Sequence, residues 1–217
     1  MPPKAKFTAE EIVNAALEIT REKGTEALTA RELGKRLGSS ARPVFTVFRN
    51  MEEVQTEVYK AAKKVFGGYL EDYAEYTPSF KRAGMQIISF AMNEPKLFQL
   101  LFMREGSGVR SFEETVRQLP EMPEPMIDVI QRDYRFDGDK AWRLLEHMWV
   151  HVYGICVMCA YNVCSFSKEE ISQMLGDIFC GQMMLMKSGK ESSARVMPHK
   201  GKIPGFDVSD TEKIYSE

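Results

Sequence analysis

Cysteine, histidine and tryptophan are scarce in this chain of 217 residues, which holds four, three and two of them. The cysteines (Cys156, Cys159, Cys164, Cys180) sit in the C-terminal part of a chain large and apolar enough to bury a core. Reduced packing thiols are therefore expected, not a disulfide framework. No charge dominates: 29 basic and 31 acidic residues leave a net charge of -2. The whole molecule is no electrostatic match for nucleic acid, and any basic surface must be local. Long hydrophobic runs are missing too. The most apolar stretch, residues 148–161, is shorter than the roughly 20 residues a membrane helix needs and carries His151, so it reads as a buried helix with no membrane partner. The opening MPPKAKFTAEE reaches acidic residues before any apolar segment, which argues against a secretory signal and for a cytoplasmic location. No GxGxxG, P-loop, GxSxG or HExxH sequence occurs. The chain is expected not to be an enzyme and to need no cofactor.

What is present is 44% hydrophobic and 28% charged, the composition of an ordinary globular protein. Its charge is uneven. Residues 1–50 carry nine basic and six acidic residues, a net +3, and leave the remainder at -5. A small basic head on an acidic body follows, with a polyanion as a candidate partner of the head.

Helix start and stop signals are dense in that head. Thr8 and Glu11 form a capping box with Phe7 and Ile12 as a staple, Ile12, Ala16 and Ile19 make an apolar stripe, and Gly24 supplies the stop. The first helix is expected over residues 9–23. Thr29 and Glu32 repeat the box, with Leu33 and Leu37 facing inward until Gly38 ends a short second helix. Ser40 is expected to cap a third helix over 41–47, which tolerates Pro43 in its first turn and anchors through Val44 and Phe48. Asn50 and Glu53 start a fourth near 51, which Gly67-Gly68 bends or ends.

Beyond Pro78 the periodicity is helical throughout: 79–93, 95–104, 110–118, 124–134, 139–164 and 168–186. From residue 188 the pattern fades into Ser, Lys, Gly and Pro, and a flexible tail is expected over 188–217. The expected fold is all-α. It comprises a helix-turn-helix domain at 1–50, a helical effector-binding and dimerisation domain at 51–187 reached through a linking helix from about 51, and the tail.

Two short helices flanking Gly38, Ser39 and Ser40 read as a helix-turn-helix, whose second member can present its outer face to a DNA major groove; a plain three-helix corner without any ligand is the alternative. The stretch from residue 7 to 59 resembles the DNA-binding domain of TetR-family transcriptional regulators. The matching features are the Ile12 to Ile19 helix with its Gly24 stop, Leu28-Thr29, Leu33, Gly38, Ser40, Val44, Phe48 and Glu52-Glu53. The resemblance implies that Ser40, Ala41, Arg42, Pro43, Phe45, Thr46 and Arg49 face DNA, with Thr29 near a phosphate. Arg42 is the candidate base reader, since arginine donates two bonds to guanine O6 and N7; a solvated or phosphate-bound arginine is the alternative. Two departures stand out. Phe45-Thr46-Val47-Phe48 lacks the tyrosine common in the family, and Met51 replaces a lysine. Phosphate contacts are thereby lost, and Arg49, Lys35 and Arg36 are expected to supply more of the affinity.

The helix over 139–164 is apolar nearly all round. The resemblance implies that it pairs, with the one over 168–186, against their copies in a two-fold homodimer reading a palindrome on double-stranded DNA. Fourteen methionines, several among aromatics, suggest a lining for an unknown small-molecule effector at Met85, Phe98, Phe102, Trp142, Met148, His151 and Tyr153, with an adaptable core as the alternative. The function expected is a ligand-responsive repressor released from DNA by its effector. His147, His151 and the cysteines match no firm zinc pattern, so no metal site is assigned. A helical small-molecule or metal- and thiol-sensing protein with weak or lost DNA binding is the alternative.

Overall fold

In the computed structural model of the chain, residues 6–103, 111–117, 119 and 122–188 are described, and their regular structure is helical throughout. The chain divides into two compact units, residues 1–176 and 177–217, with the boundary inside the last helix. The tail expected after residue 188 lies outside the described residues.

The head folds as its caps dictate. Helix α1 spans Ala9–Lys23, with the Thr8 hydroxyl accepting from the Glu11 amide at 3.1 Å and Glu11 accepting from the Thr8 amide at 2.8 Å. Its stripe of Ile12, Ala16 and Ile19 is fully buried, and Gly24 closes it at φ +85°. Helix α2, Ala30–Arg36, starts at Thr29, which accepts from the Glu32 amide at 3.2 Å. Here the reciprocal half of the expected box is missing. Glu32 turns to Lys23 at 2.7 Å, and Arg36 pairs with Glu22, so two ion pairs tie α2 to α1.

Where a third α-helix was expected over 41–47, the chain instead makes a 3-10 turn at Val44–Thr46 within a run of i→i+3 bonds. The amides of Val44, Phe45 and Thr46 donate to the carbonyls of Ala41, Arg42 and Pro43 at 3.1, 3.2 and 3.2 Å. Pro43 disfavours the α conformation at Arg42, and so short a segment gains little from longer-range bonds. Pro43, not Ser40, occupies the cap position, and no side chain caps the turn. Val44 is fully buried and Phe48 nearly so, which anchors the segment.

Gly34, in the middle of α2, sets how closely that segment approaches. A Cβ there would stand 2.7 Å from both the Ser40 carbonyl carbon and the Ala41 amide nitrogen. Backbone packs on backbone at this crossing, and only glycine fits.

Helix α3, Met51–Tyr69, is capped by Asn50 and continues through Gly67-Gly68. It is followed by α4 (Ser79–Asn93), α5 (Pro95–Phe102), α6 (Phe112–Val116), α7 (Glu124–Tyr134), α8 (Gly138–Ala160) and α9 (Lys168–Ser188). Helix α8 stops short of residue 164 because Asn162 adopts φ 54° and the amides of Asn162 and Val163 turn back to Cys159 and Met158 at 3.0 and 2.9 Å. Helix α4 lies along α8, while α5 touches α1, α3 and α8 and so joins head to body. An Arg21–Glu94 ion pair at 2.8 Å reinforces that junction. Phe66 and Phe90, both fully buried, meet edge-on at 5.1 Å at the centre of the body core.

Two glycines are expected to answer oppositely to alanine. Gly68→Ala, in a helix with nothing within 4 Å of the new Cβ, should stabilise the protein by up to about 1 kcal/mol in urea unfolding. Gly34→Ala should cost about 1–3 kcal/mol, because a rigid backbone meets the added methyl. Equal effects would contradict the close crossing.

Hydrogen bonds from Arg36 and Lys23 hold the Glu22 and Glu32 carboxyls below their ordinary value of 4.5. Because the folded values are depressed, the stability these ties contribute is present above the unfolded value and is lost as pH falls through the folded ones. Side-chain NMR titration should place both midpoints below those of exposed, unpaired glutamates. Arg36→Gln should raise the Glu22 midpoint, and raise it more than that of Glu32, which keeps its Lys23 hydrogen bond.

Candidate nucleic-acid interface

The turn between α2 and the 41–47 segment is built from three backbone bonds. The amides of Leu37, Gly38 and Ser39 donate to Leu33, Lys35 and Gly34 at 3.0, 3.0 and 2.9 Å, with Gly38 at φ +63°. The chain turns within four residues, and the close crossing at Gly34 holds the next segment against α2. Lys6 reaches the turn as well, its Nζ donating to the Ser39 hydroxyl at 3.2 Å.

Burying Val44 and Phe48 turns the other side of the segment outward. Arg42, Phe45, Thr46 and Arg49 are exposed, as are Ser40 and Thr29, while Ala41 and Pro43 are half-buried. Seven of the eight residues expected to face DNA thus lie within 40–49, and Thr29 stands at the start of α2. In a 3-10 turn residues three apart eclipse each other, so Arg42 stands beside Phe45 and Pro43 beside Thr46. Thr46 is partly spoken for, its hydroxyl donating to the Pro43 carbonyl at 2.7 Å.

Electrostatics separate the basic residues of the head into two groups. Lys23 and Arg36 are neutralised by Glu32 and Glu22. Arg31, Lys35, Arg42 and Arg49 are exposed and form no ion pair with any described residue. The expectation that Arg36 shares in phosphate binding is therefore weakened, since a guanidinium held by a carboxylate offers less to a phosphate. Arg31, by contrast, is exposed and held by no carboxylate among the described residues. Sequence reasoning passed over it, though its position one residue into α2, on the solvent side opposite Leu33, was readable from the helical period. Arg31 and Lys35 border an open depression with Ala30, Glu32, Ser39, Ser40 and Ala41.

Of the seven residues expected to line an effector cavity, Phe98, Phe102 and Tyr153 share one cluster. Phe98 and Phe102 stack at 4.8 Å, Phe98 meets Tyr153 at 5.9 Å, and Phe102 continues to Phe66 at 5.3 Å and Trp149 at 5.9 Å. The Tyr153 hydroxyl donates to the Phe102 carbonyl at 3.1 Å, and burial pushes its phenol up. Trp142 faces Phe112 at 6.1 Å instead. Met85 borders a surface depression with Lys81, Lys168 and Ser172. Met148 is buried on α8, and His151 Nε2, also buried, has no hydrogen-bond partner among the described residues. Burial also pushes the Cys156 thiol far up, whereas Cys164 and Cys180 are exposed. No three His, Cys, Asp or Glu residues among those described stand close enough to hold a metal ion. No described helix is long and apolar enough to cross a membrane.

No protein-family model matches the chain, and no curated protein matches it. Among solved structures, a transcriptional regulator from Rhodococcus sp. Rha1 is similar over 83% of this chain and 97% of its own, with a TM-score of 0.50 and 18% identity. At that identity the likeness is one of architecture: this chain has the all-α fold of that regulator.

Proposed function

We propose that this protein is a DNA-binding transcriptional regulator of the TetR type, a repressor that binds palindromic operators as a homodimer and is released by a small-molecule effector. One observation carries the reading. Arg31, Lys35, Arg42 and Arg49 stand exposed and unneutralised around a helix-turn-helix, in a protein whose net charge is -2. Such a local concentration of cations is what a duplex selects and what an otherwise acidic surface lacks. The fold shared with a transcriptional regulator is consistent with it.

Dimerisation through α8 and α9 is supported by apolar side chains that each leaves in solvent. Val150 on α8 is 65% exposed and Met184 on α9 is 74% exposed. Burying such residues between copies removes apolar area from water. An effector is proposed to act on the body and to shift the population toward a head spacing that one duplex cannot accommodate. The reading assigns no catalytic residue and places the protein in the cytoplasm.

The test is selection from random duplex DNA at low salt. A palindrome should emerge. Arg42→Ala should weaken its binding by about 1–3 kcal/mol and relax one base position. Lys35→Ala should weaken all duplexes alike and make the salt dependence shallower by about one counterion. If no sequence is enriched, the DNA-binding reading fails, and a helical small-molecule or thiol-sensing protein becomes the better account. The loss of the family's tyrosine and lysine at Phe45 and Met51 would fit that outcome.

A further inference from the structure

Among the described residues Phe45 is the one exposed phenylalanine, at 45%. It makes no ring or cation contact with any of them, in contrast to exposed Tyr76, whose ring lies 4.3 Å under the Arg82 guanidinium. Its exposure is imposed by the fold, because Val44 before it and Phe48 after it are the buried anchors of the segment. The Phe45 amide donates to the Arg42 carbonyl at 3.2 Å, an i→i+3 bond of the kind that sets residues three apart on the same side of the turn. Arg49 is exposed a few residues further on.

An aromatic ring without a polar atom has little to offer a phosphate, so its place between cations calls for an apolar partner on the duplex. On the major-groove edge of the base pairs that partner is the methyl group of thymine. We infer that Phe45 is a specificity residue that reads a thymine methyl beside the base contacted by Arg42. The inference rests on the DNA-binding reading above and adds to it a base identity. Three residues of a 3-10 turn advance about 6 Å, and base pairs stack about 3.4 Å apart. Thymine is therefore expected within about two base pairs of the position that Arg42→Ala relaxes.

Uracil differs from thymine by that methyl alone. In the duplex selected by the full-length protein, each dT is replaced in turn by dU and binding is measured by gel shift. One dT per half-site should show a roughly fourfold loss, the value of burying about one methyl group. In Phe45→Ala, whose folding is checked by circular dichroism, the same replacement should change affinity by less than about 1.5-fold, while dU at other positions behaves as in the wild type. Selection without any dT-to-dU sensitivity overturns the inference and leaves the regulator reading intact. Sensitivity that persists in Phe45→Ala also overturns it, assigning the methyl to another residue. Failure to select any sequence removes both.

Discussion

The contact on which the head depends is the crossing of backbone over backbone at Gly34. Helix α2 and the segment after Ser40 come so near that a methyl group at residue 34 would overlap the Ser40–Ala41 peptide. That closeness lets Val44 and Phe48 reach the core shared with Ile12, Ile19 and Leu33. Burial of those two side chains then turns the opposite edge, with Arg42 and Phe45, toward solvent. Hydrophobic anchoring and the exposure of Arg42 and Phe45 are thus one event, and two ion pairs join α1 to α2 beside it.

Helix α5 extends this logic to the body. It touches α1 of the head, the linking helix α3 and α8 of the body, and Glu94 just before it takes the Arg21 guanidinium. Phe98 and Phe102 on its inner side run into the aromatic cluster of Phe66, Trp149 and Tyr153. Cores of this kind move between discrete packings and do not deform smoothly. A molecule that repacked the cluster would be felt at α5 first, and the head rests on α5.

Much of the fold was legible in the sequence because it is written in local signals. Thr8 with Glu11, Asn50 with Glu53, and the apolar spacing of α1 are short-range physics, and the helices appear where those signals put them. Three features were not legible. The 3-10 form of the 41–47 segment follows from a balance between Pro43 and two buried anchors, and helical period alone does not resolve it. Gly34 reads as an unremarkable helix residue until the crossing chain is seen, since its role lies in a contact between residues six and seven apart. The partnership of Arg36 with Glu22 depends on how α2 is angled on α1. The exposure of Arg42, Phe45, Thr46 and Arg49 was legible in part, because Val44 and Phe48 between them read as buried anchors. The expected effector residues were chosen for their chemistry across three helices, and of them packing brings Phe98, Phe102 and Tyr153 into one cluster.

The most direct measurement of the account is a crystal structure of the full-length protein bound to the duplex it selects. The edge carrying Arg42 and Phe45 should lie in the major groove, with Arg31 and Lys35 against the flanking phosphates and the Gly34 crossing unchanged. A duplex held by any other surface, with Arg42 and Phe45 left in solvent, would contradict the account.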